Sequence, residues 1–119
     1  MPKSKQSLHQ PWQVFTTQGA ETDIDSIISY LLAQDEAETA TRLLAELAET
    51  LDSLSTFPLR GHLPPELSEH PDKNIREVHV SAYRVIYRVI AQDVFIIFVA
   101  DGRRNIQQAL LTRALRVTS

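Results

Sequence analysis

The chain has 119 residues, of which 43% are hydrophobic, no cysteine and a formal net charge of −3 at pH 7. This length suffices for one domain that buries roughly two thirds of its unfolded surface without metal or disulfide staples. The composition excludes global disorder, a disulfide framework and thiolate chemistry, and no apolar run approaches the ~18 residues that a membrane span needs. Residues 1–11 form a polar arm without the apolar segment of a signal peptide, so we expect a single domain at 12–119 in a cytoplasmic protein.

Charge is distributed unevenly along the chain. Residues 1–75 carry five basic against twelve acidic residues, a net of −7, whereas residues 76–119 carry seven arginines against three acidic residues, a net of +4. The planar guanidinium of arginine suits bidentate pairing with carboxylate or phosphate. The C-terminal part is therefore expected to bind anions, although any single arginine there could equally be a surface residue that favours solubility.

Two amphipathic helices are predicted in the first half of the chain. The first spans about 20–33, is started by Thr17 or Thr22, and has apolar residues at helical spacing. Asp35 is expected to cap a second helix that runs to about Leu54, with Glu38 three residues later as in a capping box. The apolar stripe of this second helix comprises Ala40, Leu43, Leu44, Leu47, Leu51 and Leu54. Such a stripe is usually core and sometimes a partner-binding face, and the short connection favours an antiparallel helix hairpin on a sheet.

The strands are predicted from alternating and apolar runs. A short N-terminal strand at Trp12–Thr16 precedes the helices, and a Pro/Gly-containing loop at 55–72 follows them. Three strands come next, joined by short turns, and should form an antiparallel meander: Ile75–Val80, Tyr83–Ile90 and Val94–Val99. A short C-terminal helix over Ile106–Leu115, capped by Asn105, completes an α+β fold in which the helix hairpin packs on an antiparallel β-sheet.

The order of these elements resembles the RelE/ParE superfamily of small bacterial toxins from type II toxin–antitoxin modules. The resemblance covers about residues 12–106. It is carried by residues 20–27 of the first helix, by the segment from Leu54 to Pro58 with the following Gly61, and by Pro65-Glu66-Leu67. Its strongest parts are residues 83–89, with the sequence Tyr-Arg-Val-Ile-Tyr-Arg-Val, and residues 102–106, with the sequence Gly-Arg-Arg-Asn-Ile.

The superfamily includes RelE-like toxins that cut mRNA on the ribosome and ParE-like toxins that poison DNA gyrase. A metal-independent ribonuclease must stabilise charge on the phosphate and transfer two protons. The RelE resemblance places Arg84 and Arg104 at the phosphate-binding arginines, but Leu110 stands where a catalytic tyrosine is expected, and Ile75 and Glu77 stand where lysines are expected. His79 would have to supply the missing base, although a lone strand histidine is more often structural.

No cofactor or metal site is expected from the sequence. The four histidines lack a metal-ligand spacing such as a helical i, i+4 pair: His9, His62, His70 and His79. The three glycines also form no phosphate-binding loop.

The favoured hypothesis is a ParE-like toxin that binds gyrase and is not an enzyme, held by an antitoxin in a hetero-oligomer. Its target-binding or antitoxin-binding residues would be a basic group with two neighbouring tyrosines: Arg84, Arg88, Arg103, Arg104, Arg113, Tyr83 and Tyr87. The alternative is a ribosome-dependent mRNA endonuclease in which Arg84 and Arg104 hold the phosphate and His79 or Glu77 moves protons. An inactive toxin that still binds its antitoxin is a third possibility.

Overall fold

The computed structural model describes residues 12–114. Its elements in chain order are strand β1 (Gln13–Thr16), helices α1 (Gln18–Ala33) and α2 (Ala37–Thr56), a 3-10 turn (Pro65–Leu67), strands β2 (Ile75–Val80), β3 (Tyr83–Ile90) and β4 (Asp93–Asp101), and helix α3 (Gln107–Ala114). The predicted order of strand, helix hairpin, loop, meander and short helix is confirmed. The expected polar arm at 1–11 and the end of the C-terminal helix lie outside the described residues.

The four strands form one mixed sheet in the order β1-β4-β3-β2. Strands β2, β3 and β4 are the predicted antiparallel meander, with Val85 paired to Val78 on one side and to Val99 on the other. Strand β1 pairs with β4 in parallel, from Gln13 opposite Asp93 to Thr16 opposite Ile96. We expected an antiparallel sheet, but the β1–β4 pair is parallel. The helix hairpin between β1 and the meander provides the long crossover that a parallel pair requires.

The turn between the two helices differs from the prediction. Asp35 does not cap α2; it has a φ of 62° and lies just beyond the end of α1. The backbone N–H groups of Asp35 and Glu36 donate to the carbonyls of Leu32 and Leu31, at 3.0 and 2.9 Å. This is the hydrogen-bond pattern of a Schellman motif, so Asp35 occupies the left-handed position that glycine usually takes.

Substituting Asp35→Gly is expected to raise the free energy of unfolding by about 0.5–1 kcal/mol, because glycine adopts a positive φ without the steric cost of a Cβ atom. Urea denaturation measures the change. Asp35→Ala is the matched control and should give no such gain, since alanine keeps a Cβ atom at the positive φ. An equal gain in both variants would contradict the left-handed assignment.

Both faces of the sheet are covered. The helix hairpin packs on one face, where its buried residues meet alternate residues of the strands: Ala20, Leu31, Ala40, Leu43, Leu47, Leu54, Val78, Val80, Val85, Tyr87, Val89, Val94, Ile96 and Val99. Leu44 belongs to the predicted stripe but is exposed. On the other face, the 3-10 turn and α3 cover a second buried cluster: Leu67, Ile75, Ile86, Ile97, Phe98, Ala100, Ile106, Leu110 and Ala114.

Among the helices between residues 12 and 114, none combines the length and the apolar character needed to cross a bilayer.

Candidate functional site

Arg84 is at the centre of a buried ion-pair network between the sheet and the 3-10 turn. Its Nε and Nη2 atoms donate to Oε2 and Oε1 of Glu77 at 2.9 and 2.7 Å. Its Nη1 and Nη2 atoms donate to Oε2 and Oε1 of Glu66, both at 2.7 Å. Only 7% of the Arg84 side chain and 2% of the Glu77 side chain are exposed. The guanidinium is therefore bound by two carboxylates of the chain itself, and the expectation that it belongs to an exposed basic surface is wrong.

The two carboxylates are held in their ionised form. Hydrogen bonds from Arg84 lower the pKa of Glu66, against a smaller opposing effect of burial. For Glu77, burial is the largest single effect and raises the pKa, but the hydrogen bonds and charges of Arg84 and His79 together leave the pKa below its ordinary value. The same contacts raise the pKa of Arg84. The network thus keeps its charges at neutral pH.

We expect the protein to lose stability in acid because of these lowered carboxyl pKa values. Ionised Glu66 and Glu77 stabilise the fold above the ordinary glutamate pKa of 4.5, and the stabilisation is lost as the pH falls from there through their folded-state values. Urea unfolding at successive pH values measures it. Glu66→Gln lacks one of these carboxylates. Its free energy of unfolding should therefore fall less steeply than that of the wild type when the pH drops below the ordinary glutamate pKa of 4.5. An identical pH profile in both proteins would contradict the assignment.

Two exposed histidines lie at the edge of this network. Strand β2 places His79 two residues after Glu77 on the same face, and His79 Nε2 lies 2.6 Å from Glu77 Oε2. His62 reaches the same carboxylate from the loop before the 3-10 turn, with Nε2 at 4.0 Å from Oε2. The structure therefore brings together Glu77, His79 and Arg84, which the sequence had suggested, with His62 and Glu66, whose place in this cluster the sequence analysis missed.

Part of the network could have been predicted from the two-residue turn between β2 and β3. This turn sets the register in which His79 faces Arg84, so Glu77 becomes a diagonal neighbour of Arg84 on the same face of the sheet. Glu66 and His62 gave no such signal, because they come from an irregular loop whose path depends on tertiary packing.

Arg88 and Tyr87 are not free surface residues either. The Arg88 guanidinium pairs with Asp72, with Nη2 at 2.6 Å from Oδ2. Tyr87 is completely buried under the helix hairpin, and its hydroxyl accepts a hydrogen bond from the backbone N–H of Gly61 at 2.9 Å. Tyr87 was predicted to be a binding residue, but the structure places its ring and its hydroxyl inside the fold.

Arg113 joins three elements at the open edge of β4. Ile97 forms a β-bulge in β4 and has no partner in β3, since Ile86 pairs with Phe98 and Tyr87 pairs with Ile96. Arg113 Nη1 donates to the Ile97 carbonyl at 2.7 Å and to Asp23 Oδ2 at 2.9 Å. Asp23 Oδ2 in turn accepts the backbone N–H of Val99 at 3.0 Å. The Arg113–Asp23 pair thus satisfies polar groups of β4 beyond the end of β1, where a further strand would otherwise bind.

Substituting Arg113→Ala is expected to lower the free energy of unfolding by about 1–3 kcal/mol, because the Ile97 carbonyl and the Asp23 carboxylate lose their partner. Chemical denaturation measures this loss. The control is Arg104→Ala at an exposed position, which should change stability by less than about 0.5 kcal/mol. Equal effects of the two substitutions would contradict the structural role of Arg113.

Arg103 and Arg104, at the turn after β4, are both exposed. Arg103 pairs with Asp101, with Nη2 at 3.3 Å from Oδ2, and 89% of its side chain remains exposed. Hydrogen bonds from Arg103 lower the pKa of Asp101. Arg104 lines a groove of about 500 Å³ between α1 and the edge of β4, which we call the α1/β4 groove. Its other walls are Asp23, Ser26, Ile27, Tyr30, Tyr83, Phe98, Val99, Ala100 and Asp101.

The ribonuclease residues suggested by the resemblance are thus not assembled around one free anion site. Arg84 is buried with two carboxylates, whereas Arg104 lies at the exposed turn by the α1/β4 groove. Leu110, at the position expected for a tyrosine, is fully buried in the second cluster. Ile75, at a position expected for a lysine, is fully buried there as well.

The helix hairpin on a mixed sheet of order β1-β4-β3-β2 is the fold of RelE/ParE-like structures. The family model described as "ParE toxin of type II toxin-antitoxin system, parDE" matches residues 14–106. The chain belongs to this family, and it is a toxin of the type II toxin–antitoxin class.

Individual relatives agree with the family. Toxin ParE3 of Caulobacter vibrioides is 26% identical over 98 residues, which cover 82% of this chain and 94% of that toxin. The chromosomal ParDE system of P. aeruginosa contains a chain of TM-score 0.60 and 18% identity, aligned over 76% of this chain and 95% of its own.

Two RelE-related structures are also similar. A chain of the toxin–antitoxin complex RelBE2 from Mycobacterium tuberculosis has a TM-score of 0.55 and 25% identity, over 76% of this chain and 98% of its own. A mutant of the E. coli toxin RelE in the free state has a TM-score of 0.61 and 13% identity, over 92% of this chain and its full length. The fold is therefore shared by ParE-like and RelE-like proteins, and it does not by itself separate their activities.

Proposed function

We propose that this toxin inhibits DNA gyrase by binding it, without a chemical step of its own. The observation that carries the proposal is the occupied guanidinium of Arg84. A phosphate-binding arginine needs free N–H donors directed at the substrate, and here hydrogen bonds to Glu66 and Glu77 use four of the five N–H donors of Arg84. Binding to a protein requires no such site, which favours a ParE-like over a RelE-like activity.

The proposed contact surface is the exposed turn after β4 together with the α1/β4 groove. Arg103 and Arg104 supply positive charge, and the exposed Tyr30 and half-buried Tyr83 supply aromatic area beside Arg104. Arginine and tyrosine are enriched among the residues that dominate protein–protein binding energies. Of the sequence-predicted binding residues, Arg103, Arg104 and Tyr83 therefore remain in the proposal.

A supercoiling assay with purified gyrase and toxin tests the function. The wild-type toxin should inhibit supercoiling, and the double variant Arg103→Glu/Arg104→Glu should need at least a ~10-fold higher concentration, as expected when contact residues are reversed in charge. Arg42→Glu on the exposed side of α2 is the matched control and should inhibit like the wild type. Normal gyrase activity at saturating toxin, alongside mRNA cleavage in a translation extract, would overturn the proposal.

One observation favours the ribosome-dependent endonuclease as a second candidate. Glu77 holds the exposed His79 ring at 2.6 Å, and a carboxylate-oriented imidazole is a suitable general base. Primer extension after induction tests this candidate, with His79→Gln as the decisive variant and His70→Gln as its control. New mRNA ends that depend on His79 would support it, and an absence of new ends would exclude it.

We further propose that an antitoxin encoded beside the toxin binds it as a hetero-oligomer. An acidic segment that folds on binding would find positive charge at Arg103 and Arg104 and apolar walls in the α1/β4 groove. Arg84 and Arg113 contribute no anchors to this proposal, because Glu66, Glu77 and Asp23 already pair with them. Co-expression with the neighbouring small open reading frame should yield a complex stable in gel filtration, weakened by salt and by Arg103→Glu/Arg104→Glu.

Expression of the toxin alone separates an active from an inactive protein. Growth arrest with induction of the DNA-damage response is expected for a gyrase inhibitor, and translation arrest is expected for an endonuclease. Unchanged growth of cells that contain the folded toxin would support the inactive alternative.

A further inference from the structure

Three potential metal ligands converge where the loop before the 3-10 turn meets β2. His62 and Glu77 form an isolated antiparallel bridge, in which the Glu77 N–H donates to the His62 carbonyl at 2.7 Å and the His62 N–H donates to the Glu77 carbonyl at 3.1 Å. This bridge places the two side chains next to each other, and His79 follows on the same face of β2. One ligand atom from each of the three lies within 4.8 Å of the others.

We propose that His62 Nε2, His79 Nε2 and Glu77 Oε2 bind one divalent transition-metal ion, with Zn²⁺ and Ni²⁺ as the best matches. Two imidazoles and one carboxylate form a donor set that borderline metal ions prefer over Mg²⁺ or Ca²⁺, which prefer oxygen ligands alone. The site lies outside the proposed gyrase-binding surface and does not depend on that function.

The present distances are close to those of a metal shell. Ligand atoms about 2.0–2.1 Å from a tetrahedral zinc ion are separated from each other by roughly 3.3 Å. The His79–Glu77 separation of 2.6 Å has to widen, and the His62–Glu77 separation of 4.0 Å has to shorten. Both histidine side chains are more than half exposed, at 58% and 60%, so their rings can rotate without disturbing the core.

The surroundings favour a cation at this position. The network beneath the histidines contains two carboxylates, Glu66 and Glu77, and one guanidinium, Arg84, so its charge is −1. Arg84 Nε donates to the same Glu77 oxygen that would bind the metal and fixes its orientation, which is the role of an outer-shell partner. The exposed side of the two rings leaves the remaining coordination positions open to water or to a group of a bound partner.

Metal binding would have a structural consequence. His62 belongs to the loop and Glu77 and His79 to β2, so the ion would hold the loop against the edge of the sheet. The spacing of residues 62, 77 and 79 resembles no local metal motif, so the cluster was not predicted from the sequence.

Isothermal titration of the purified full-length chain, without an affinity tag, with ZnCl₂ and NiCl₂ tests the site. We expect saturable one-to-one binding, weakened at least ~10-fold in His62→Gln and in His79→Gln, because each loses one ligand. His70→Gln is the matched control and should retain the wild-type affinity within about twofold, since His70 is not part of the cluster.

A second measurement separates coordination from effects on folding. Ni²⁺ should broaden the NMR signals of the His62 and His79 rings before those of His70, and urea unfolding without metal should show that both cluster variants still fold cooperatively. Two results would overturn the site: no saturable binding up to about 1 mM metal, or the same affinity in the wild type and in both cluster variants.

Discussion

Substituting Arg84→Met is expected to lower the free energy of unfolding by about 3–5 kcal/mol, the range found when one partner of a buried ion pair is removed. The substitution leaves Glu77, whose side chain is 2% exposed, and Glu66, whose side chain is 16% exposed, without their cation. Two adjacent carboxylates with little access to water then repel each other, and their pKa values rise. Equilibrium denaturation in urea at neutral pH measures the loss.

Two further variants test whether the loss of stability is specific to the buried ion pairs of Arg84. Arg103→Met removes an arginine whose side chain is 89% exposed and should change stability by less than about 0.5 kcal/mol. The triple variant Glu66→Gln/Glu77→Leu/Arg84→Met removes all three charges together and should recover most of the loss, because apolar replacements of a buried ionic group are often neutral or better. A single Arg84→Met variant as stable as Arg103→Met would show that the network is not buried as described.

Substituting Gly61→Ala is expected to lower the free energy of unfolding by about 2–3 kcal/mol, because the loop has no room for a methyl group. A Cβ atom at this position would lie 2.6 Å from the Glu77 carbonyl oxygen and 2.7 Å from the Tyr87 hydroxyl. The first of these is a backbone atom of β2, so the loop itself has to move away. Its hydrogen bond to Tyr87 and the bridge between His62 and Glu77 should weaken together. Thermal or urea unfolding measures the effect.

The Tyr87→Phe background separates the two contacts of Gly61. Tyr87→Phe alone should cost about 1 kcal/mol, because the Gly61 N–H loses its acceptor. In Gly61→Ala/Tyr87→Phe the clash with the hydroxyl is absent but the clash with the Glu77 carbonyl remains, so the rescue should be partial. A complete rescue would place the strain at Tyr87 only. The absence of any loss in Gly61→Ala would contradict the close approach of loop and strand.

The amino-acid sequence by itself determined the elements whose signals are local. Strands β2 and β3 were predicted with the bounds that the structure has, because alternating apolar residues and two-residue turns fix both the length and the register of a hairpin. The side chain of Asn105, the predicted cap of the C-terminal helix, accepts the backbone N–H of Gln107, the first residue of α3. The resemblance to the RelE/ParE superfamily likewise depended on ordered local motifs and is confirmed by the ParE family model.

Only the tertiary structure decided what the charged residues do. Charge counting treats every arginine as free, yet Arg84, Arg88 and Arg113 each have an acidic partner that is distant in sequence or across a turn. These partners are brought close by packing of the loop, α1 and α3 against the two faces of the sheet, and burial makes the pairs specific. The His62–Glu77–His79 cluster has the same origin, because one isolated bridge joins a loop residue to a strand fifteen positions later. Such long-range contacts leave no periodicity in a single sequence. The arginines of the proposed contact surface could therefore be limited to Arg103 and Arg104 only from the fold.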